Sequence, residues 1–501
     1  MMPTETDAAA VVFKMKAPTT GVSVRMYNPG FGDCLLLAFA GGDGEARYVL
    51  IDCGVHHQYS GGSARMKRVA DNIMAATGKH LHAVAITHDH TDHHYGFRYA
   101  RKTFAEDDVI IDELWLAWIE NSDDDLVKQW VKNKHLTLRA LTSAINRLQQ
   151  ANHPLAAAMQ SVLEFDVPEG FAAAGNAPPP LEFLRGKVVK KLNVPQDYKN
   201  PRDVFTIPGV PNVKVYVLGP PRNYELLNVM DDNNEVYPEM TALNERTAFA
   251  AAVLAADGEA RQDEDDDLIW RSRPFDKRYE IQKIDADCKM MYEGFFHDFY
   301  GFDSDVDQSN EWRRIETDWL LSAQQLVEEL DSITNNTSLV LAFELTDTTP
   351  HKVLLFVGDA QVGNWMSWQH LDDSGPGEKI DIDDLLTRTV FYKVGHHGSR
   401  NATLKEHGLE RMTNSDLVAI IPVDKKWANN EKRKWEHPAE KLLAQLETST
   451  RGRILRSDKI PQNGKKPENP GMLDQQNWKA FTDEIELENS DDPLWIQFTV
   501  K

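Results

Sequence analysis

Four side chains that commonly bind metal ions lie within one short segment of the sequence, at His88, His90, Asp92 and His93. Imidazole and carboxylate groups both suit Zn²⁺ or Mn²⁺. His88 and His90 are two residues apart and therefore point the same way from an extended backbone, whereas Asp92 and His93 follow where the chain turns. This spacing suits two neighbouring metal ions that share a hydrolytic water. The alternative interpretation is a histidine-rich turn on the surface.

Two aspartates that end apolar runs are further candidates. Residues 353–357 lead into Asp359, and residues 48–51 lead into Asp52. A carboxylate at the end of a buried strand is costly to bury without a cation or hydrogen-bond donors, which makes Asp359 a candidate ligand. It could instead cap the N-terminus of a helix. Asp52 could accept a ring N–H and fix the tautomer of a ligand, or it could occupy a turn.

A second pair of histidines, His396 and His397, follows a strand-like run at residues 389–394. Adjacent residues of an extended backbone point in opposite directions, so the two rings cannot both face one metal. His437 either faces the same site from its own loop or packs at the N-terminus of a helix. Three nearby polar side chains could contact a substrate: Ser399, Arg400 and Asn401.

The elements that must position these residues are predicted from alternation and helical spacing, which indicate an α/β protein. The strand that precedes the first histidine cluster ends where α/β folds commonly place their chemistry. His56 and His57 lie in a Gly/Ser-rich loop and are expected to be exposed, with a substrate-facing position as the alternative. Strands are predicted at residues 22–27, 34–39, 48–51, 82–87, 112–118, 213–218, 353–357 and 389–394, and helices at 69–77, 123–150 and 319–330.

The domain organisation is predicted as an N-terminal arm at residues 1–20, a main domain at residues 21–460 and a C-terminal extension at residues 461–501. Two largely helical insertions are expected within the main domain, at about residues 101–205 and 223–332. The second insertion is the expected surface for a protein partner. It carries an acidic run at residues 263–267 and an aromatic patch at Phe295, Phe296, Phe299 and Tyr300.

The composition predicts a large protein of a reducing compartment. With 501 residues, of which 41% are apolar, the chain can bury a large core. It has no apolar run long enough to cross a membrane and no signal-like N-terminus, so we expect a cytoplasmic protein without a membrane partner. Cys34, Cys53 and Cys288 form no disulfide framework. The net charge of -23 should repel phosphate groups, which lowers the expectation of unaided nucleic-acid binding.

The pattern His-x-His-x-Asp-His, with Thr87 before it and Gly96 after it, resembles the metallo-β-lactamase superfamily. Within that superfamily, four further segments resemble the nuclease-like domain of the ComEC competence protein. The resemblance covers about residues 20–100, 213–222 and 335–460. It implies an α/β fold, the metallo-β-lactamase αβ/βα four-layer sandwich, with the metals at one edge. The four segments are Gly-Phe-Gly-Asp at 30–33, Leu-Ile-Asp-Cys-Gly at 50–54, Gly-Asp-Ala at 358–360 and Lys-Val-Gly-His-His-Gly-Ser at 393–399.

The resemblance also implies a ligand set. His396 is favoured over His397 as the ligand, because His-x-Gly-Ser/Thr is the usual form of this element in relatives. His397 would then contact a phosphate oxygen or protonate a leaving group. Many relatives have a third histidine where this chain has Gly219, so the first metal has fewer protein ligands. The implied positions are His88 and His90 on the first metal, Asp92, His93 and His396 on the second, Asp359 as the bridge, and Asp33 and Asp52 as supporting residues.

Together these features predict a metal-dependent hydrolase that uses a metal-activated hydroxide, oriented by Asp92, with Zn²⁺ or Mn²⁺ at up to two sites. His397 and His437 are further catalytic candidates. The ComEC-like segments favour a phosphodiesterase or nuclease, to which a protein partner could deliver the nucleic acid. One alternative is a small-molecule hydrolase, such as a lactonase, a β-lactamase-like enzyme or a cyclic-nucleotide phosphodiesterase. Another is a non-catalytic interaction protein.

Overall fold

A computed structural model describes residues 14–150, 155–163, 165, 178–192, 197–229, 295, 299, 330–371, 377–431, 433–461, 466–467 and 471–501. The acidic run at residues 263–267, the helix predicted before Leu330, and Phe296 and Tyr300 lie outside these residues. Phe295 and Phe299 are described, and each ring is 49% exposed. These two members of the predicted aromatic patch therefore lie at the surface and not in a core.

The described residues form an α/β structure with two mixed β-sheets. The first sheet has eight strands in the order β14-β15-β1-β2-β3-β4-β5-β6, and the second has seven in the order β13-β12-β11-β10-β9-β8-β7. In chain order the strands are β1 (Val22–Tyr27), β2 (Cys34–Ala40), β3 (Ala46–Cys53), β4 (His80–Ile86), β5 (Ile110–Ala117), β6 (Tyr198–Lys199), β7 (Val204–Ile207), β8 (Val210–Gly219), β9 (Val340–Leu345), β10 (Lys352–Phe356), β11 (Thr389–Lys393), β12 (Val418–Ile421), β13 (Ile454–Arg456), β14 (Ile485–Leu487) and β15 (Trp495–Val500).

Helices connect the strands. Within the described parts of the chain, no helix is both long and apolar enough to cross a membrane. The α-helices are Gly62–Thr77, Thr91–His94, Gly96–Tyr99, Arg101–Phe104, Asp125–Gln150, Leu155–Leu163, Pro180–Leu192, Tyr224–Leu227, Val362–Ser367, Ile382–Thr387, Lys425–Ala428, Glu440–Ser449 and Gln475–Asp483, and 3₁₀ turns lie at Trp118–Glu120, Trp368–His370, His396–Gly398, Leu409–Arg411 and Ser457–Lys459.

Strand β2 shows why the central strands are apolar on both faces. Leu36 and Ala38 belong to the same buried cluster as apolar side chains of the helix Gly62–Thr77. Phe39 points the other way and stacks on Phe343 of β9, with 5.9 Å between the ring centroids. Successive side chains of a strand face opposite sides of its sheet. The first sheet therefore packs on helices with one face and contacts the second sheet with the other.

Parallel strands bring the candidate residues to one edge. Strands β3 and β4 run parallel in the first sheet, and β10 and β11 run parallel in the second. Asp52 lies at the carboxyl end of β3, and Asp359 follows β10. The N–H of Leu339 donates to the carbonyl of Thr87 at 2.8 Å, which joins the two sheets at this edge. The candidate residues therefore meet at the carboxyl ends of parallel strands, where α/β folds commonly bind ligands.

The last strands of the predicted C-terminal extension, β14 and β15, belong to the first sheet. Strand β15 pairs antiparallel with β1 along its whole length, from Val22 opposite Val500 to Tyr27 opposite Trp495. Its alternating apolar residues allow this six-residue strand to be buried once β1 offers a partner.

The residues predicted as the first insertion include strands β5 and β6 of the first sheet. The chain divides into two compact units. One comprises Met1–Val127, Glu164–Thr241 and Asp331–Lys501, and the other comprises Lys128–Leu163 and Ala242–Leu330.

Candidate metal centre

Four buried side chains meet at the edge formed by the parallel strands: Asp92, His93, Asp359 and His397. His397 Nε2 lies 2.8 Å from Asp92 Oδ2, and His93 Nε2 lies 3.1 Å from Asp359 Oδ2. The two remaining separations are 3.7 Å from His397 Nε2 to Asp359 Oδ2 and 3.8 Å from His93 Nε2 to Asp92 Oδ2. We call these residues the four-ligand group, because each offers one ligand atom and all the atoms lie within 4.8 Å of one another.

The four-ligand group fits a divalent cation. Ligand bonds of about 2.1 Å in a tetrahedral site place the ligand atoms roughly 3.4 Å apart. The shortest and longest of the four separations, 2.8 Å and 3.8 Å, lie on either side of that value. Asp92 Oδ1 is buried and has no hydrogen-bond partner among the described residues. A buried carboxylate oxygen without a donor is unfavourable, and a bound cation would satisfy it.

The far side of each histidine ring in the group has a fixed acceptor. His93 Nδ1 lies 2.8 Å from Asp52 Oδ2, which is the contact expected for Asp52. Asp52 is itself held by the N–H and the hydroxyl of Thr87, each at 2.8 Å. His397 Nδ1 lies 2.7 Å from the carbonyl of Pro422. Each ring can therefore donate its Nδ1–H to the protein and present the lone pair of Nε2 to the group.

The backbone of Asp92 is held by two loops, at residues 30–33 and 52–54. A Cβ atom on Gly54 would lie 2.1 Å from the carbonyl oxygen of Asp92, so only glycine allows this approach. The N–H of Asp33 donates to the same carbonyl at 3.0 Å. The carbonyl of Asp33 accepts from the N–H of Gly54 at 2.9 Å, which ties the two loops to each other.

His88 and His90 form a second buried pair, and the ring of His88 lies 4.2 Å from that of His93, measured between centroids. His88 Nε2 lies 2.9 Å from His90 Nδ1, and the hydroxyls of Thr87 and Ser338 lie 3.1 Å and 3.3 Å from His88 Nδ1. Within the described ranges, no third His, Cys, Asp or Glu completes a metal-binding group with this pair. The arrangement predicted for a first metal is thus less complete than the four-ligand group.

The structure differs from the sequence-based preference for His396, because His397 is the member of this pair that joins the four-ligand group. The prediction assumed an extended backbone. The chain instead coils through the 3₁₀ turn His396–Gly398, where φ is 43° at His396 and 52° at His397. The His396 ring lies 5.1 Å from the ring of His437. His397, which was expected to contact a phosphate or a leaving group, faces Asp92.

The polar residues after the histidine pair support His396. Ser399 Oγ donates to Asn401 Oδ1 at 3.1 Å, and Asn401 Nδ2 donates to Gln361 Oε1 at 2.8 Å. Gln361 Nε2 lies 3.0 Å from His396 Nδ1, so it donates to that nitrogen and leaves the ring hydrogen on Nε2. Ser399 and Asn401 were expected to face a substrate and instead form this chain, whereas Arg400 is exposed. Sequence reasoning missed Gln361, whose signal was its position directly after Gly-Asp-Ala.

Electrostatics divide the histidines into two classes. Burial alone would lower the pKa of His93 and of His397, but the surrounding carboxylates outweigh burial and raise both values. Burial lowers the pKa of His396 to about 3 and lowers that of His88 and His437 well below the usual range. Protons therefore collect on the histidines of the four-ligand group, and the other rings stay neutral.

Lys393 is a member of the site that sequence reasoning missed. Its side chain is 1% exposed, contacts the carboxylate of Asp33 directly and lies 3.2 Å from Asp359 Oδ1. It also donates to the carbonyl of Gly358 at 2.7 Å. Burial alone would lower the pKa of Lys393, but the negative charges of Asp33 and Asp359 outweigh it and raise the value. The available signal was a lysine at the end of an otherwise apolar strand.

Comparisons with known proteins add no family assignment. No protein-family model matches the chain, and no curated protein sequence matches it. The relationship to the metallo-β-lactamase superfamily therefore remains an interpretation of the sequence motifs.

Proposed function

We propose that this chain is a metal-dependent hydrolase with a metallo-β-lactamase αβ/βα sandwich, and that it cleaves phosphodiester bonds. The observation that carries the proposal is the four-ligand group, in which Asp92 Oδ1 is buried without a hydrogen-bond partner in the described part of the chain. Two carboxylates and two imidazoles suit Zn²⁺ or Mn²⁺. The two mixed sheets and the position of the group at their shared edge are compatible with that sandwich.

Each residue of the group has a definable task. A bound divalent cation would supply Lewis acidity and make water acidic enough to act as a nucleophile near neutral pH. Asp92, His93, Asp359 and His397 would hold the cation, and Asp52 and the Pro422 carbonyl would keep the histidines in the tautomer that presents Nε2. Lys393 offsets part of the negative charge of the carboxylates and holds Asp359 by its other oxygen. His88 and His90 would bind a second ion more weakly, because they lack a third ligand in the described region.

Neutral donors beside the group support a phosphoryl substrate. His396 carries its hydrogen on Nε2, because Gln361 donates to Nδ1. Its neighbour His437 is also held neutral by burial, and His437 Nδ1 is buried without a hydrogen-bond partner among the described residues. Such rings can donate hydrogen bonds to phosphoryl oxygens, whose negative charge grows as the bond to the leaving group breaks. They take the place that the sequence assigned to His397, Ser399 and Asn401.

The net charge of -23 favours a second candidate, a small-molecule hydrolase. An acidic surface repels a polyanion over its whole length, whereas a small neutral ester, lactone or lactam meets no such barrier. For the phosphodiesterase, the same charge predicts weak, salt-sensitive binding to bare DNA and better binding through a protein partner.

A substrate panel tests the proposal. The panel contains single- and double-stranded DNA, RNA, bis-p-nitrophenyl phosphate, cyclic nucleotides, a lactone and a β-lactam, each with Mn²⁺ or Zn²⁺ and with a chelator. We expect phosphodiester cleavage that the chelator abolishes. Asp359→Asn should remove it, and Glu410→Gln, on the surface turn Leu409–Arg411, serves as the control. If the protein hydrolyses only the lactone or the lactam and no phosphodiester, the result favours the small-molecule hydrolase and contradicts the phosphodiesterase.

A further inference from the structure

A cluster of aromatic rings lies directly beside the four-ligand group. The ring of Phe31 lies 4.2 Å from that of His397, measured between centroids. On its other sides Phe31 meets Trp427 at 4.9 Å and Trp435 at 5.5 Å. Two more rings join them, since His56 lies 5.0 Å from Trp427 and 4.6 Å from Phe165. We call Phe31, His56, Phe165, Trp427 and Trp435 the ring cluster.

Loops fixed by hydrogen bonds hold the two tryptophans in place. Asn429 closes the loop that carries Trp435, because its side chain both donates to the carbonyl and accepts from the N–H of His437, each at 3.0 Å. Trp427 lies in the short helix Lys425–Ala428, whose first turn is capped by Asp424 at 2.9 Å. Both indole rings remain partly exposed. Part of each tryptophan is therefore both held in place and accessible to solvent.

Two buried donors of the ring cluster have no acceptor among the described residues. The N–H of Gln58 donates to His56 Nδ1 at 3.3 Å, and burial lowers the pKa of His56, so the neutral ring carries its hydrogen on Nε2. His56 Nε2 and Trp435 Nε1 are both buried, and neither finds a partner within the described residues. Their rings are 6.0 Å apart. Buried donors are almost always satisfied by protein, water or ligand, so this cluster suits a molecule rich in acceptors.

A cation stacks on the same rings. The guanidinium carbon of Arg433 lies 3.6 Å from the ring centroid of Trp427 and 5.5 Å from that of Trp435. Guanidinium groups attract phosphate and also stack on aromatic planes, including nucleobases. A positive charge beside aromatic faces contrasts with the net charge of -23 of the whole chain. The local chemistry therefore selects a ligand that combines an anion with an aromatic ring.

We propose that the ring cluster, with Arg433, is a subsite for one unpaired nucleotide. Its base would stack on the Trp427 and Trp435 side, and its acceptors would meet His56 Nε2, Trp435 Nε1 and the Arg433 guanidinium. This inference rests on the proposed function and narrows its substrate to single-stranded nucleic acid or a nucleotide phosphodiester. Bases in a duplex are paired and stacked on each other, so their faces cannot reach such a platform without flipping.

Binding to chelator-treated protein tests the subsite separately from catalysis. Calorimetry compares AMP with ribose 5-phosphate, which lacks the base. We expect AMP to bind at least about 10-fold more tightly, and Trp435→Leu to reduce AMP affinity about 5- to 150-fold, the range for loss of one stacked base. Trp495→Leu is a matched control, because Trp495 is also partly exposed, has an arginine stacked on it at 3.9 Å and has a buried Nε1 unpartnered among the described residues. Arg433→Gln should weaken both ligands.

Two outcomes would overturn the subsite: equal affinity for AMP and ribose 5-phosphate, or an AMP preference that survives in a Trp435→Leu protein with the thermal transition of the wild type. If that variant is unfolded, Trp427→Leu takes its place in the comparison.

A kinetic experiment extends the test to turnover. Thymidine 5′-(p-nitrophenyl) phosphate and methyl p-nitrophenyl phosphate have the same leaving group, but only the first has a base. Trp435→Leu should lower kcat/KM for the thymidine ester about 5- to 150-fold more than it lowers kcat/KM for the methyl ester. An equal loss for both esters would contradict the subsite. If neither ester is cleaved but the AMP preference holds, the proposed hydrolase fails and the nucleotide subsite stands.

Discussion

Lys393 and Asp359 face each other across 3.2 Å in a fully buried part of the site, and the other oxygen of Asp359 lies 3.1 Å from His93 Nε2. The carboxylate of Asp359 thus links the charged side chain of Lys393 to the four-ligand group. The same lysine contacts Asp33. It compensates two buried negative charges whether or not a metal is bound.

Removing this lysine should destabilise the protein. Lys393→Met would leave Asp33 and Asp359 without their cation, and breaking a buried ion pair typically costs about 3–5 kcal/mol. Urea denaturation of chelator-treated protein measures the free energy of unfolding. Adding Asp33→Asn to Lys393→Met should recover part of the loss, because one uncompensated charge is removed. If the free energy of unfolding of the Lys393→Met protein lies within about 0.5 kcal/mol of the wild-type value, this assignment of Lys393 is refuted.

The two adjacent histidines should respond differently to the same substitution. His397→Gln removes a ligand from the four-ligand group and should sharply reduce the metal content measured by elemental analysis. His396→Gln should leave the metal content near that of wild type. If His396 donates only to the transition state, its loss should cost about 10²–10³-fold in kcat. The opposite pattern, with metal lost from His396→Gln alone, would restore the sequence-based assignment.

Metal content should be nearer one ion than two per chain after extensive dialysis. The four-ligand group offers two carboxylates and two imidazoles, whereas no third His, Cys, Asp or Glu forms a metal-binding group with His88 and His90 in the part of the chain that the structure describes. His93→Gln should therefore abolish retained metal, and His88→Gln should remove only ions that appear at high metal concentration. Protein that neither retains Zn²⁺, Mn²⁺, Fe²⁺ or Ni²⁺ nor takes them up on addition would contradict the metal centre.

Metal-dependent stabilisation should grow with pH. Carboxylates outweigh burial and raise the pKa of His93 and His397, so their protonation stabilises the metal-free fold below about pH 6.5, and this contribution is lost as pH rises through the folded pKa. Burial alone would raise the pKa of Asp92, but the neighbouring histidines outweigh burial and lower it. The Asp92 carboxylate therefore stabilises the fold above about pH 4, and this contribution is lost as the pH falls through the folded pKa. A metal needs deprotonated ligands.

Zn²⁺ should therefore raise Tm little at pH 5.5 and much more at pH 8. Scanning calorimetry with and without Zn²⁺ measures the difference, and His93→Gln should remove it. A Zn²⁺-induced shift of the same size at both pH values would argue against these protonation states.

The C-terminal strand should be essential for folding. Strand β15 lies between β14 and β1, so deleting residues 495–501 would expose the backbone edges of both neighbours. We expect insoluble or molten protein, judged by near-UV circular dichroism and gel filtration. Deleting Lys501 alone is the control, since this residue follows the strand. Soluble, cooperatively unfolding protein after the longer deletion would show that the strand is dispensable.

The sequence by itself determined the local features of this protein. The predicted strand at residues 22–27 coincides with Val22–Tyr27, because an alternating or apolar run of this length has one regular way to bury its side chains. The helix predicted at residues 69–77 is present but begins at Gly62, since its first turns are polar and carry little periodic signal. The spacing of His88 to His93 and the position of Asp359 after an apolar strand could likewise be predicted, because both depend only on residues that are close in the sequence.

Tertiary structure decided which of these residues meet. The sequence favoured His396 over His397, but the choice depends on two positive φ angles in one turn and on Asp92, which is about 300 residues away in the sequence. Lys393 and β15 were missed for the same reason. A buried lysine is stable only with the carboxylates that surround it, and strand β15 is stable only with the two strands that pair with it. In both cases a partner is contributed by a distant segment, which local sequence patterns do not specify.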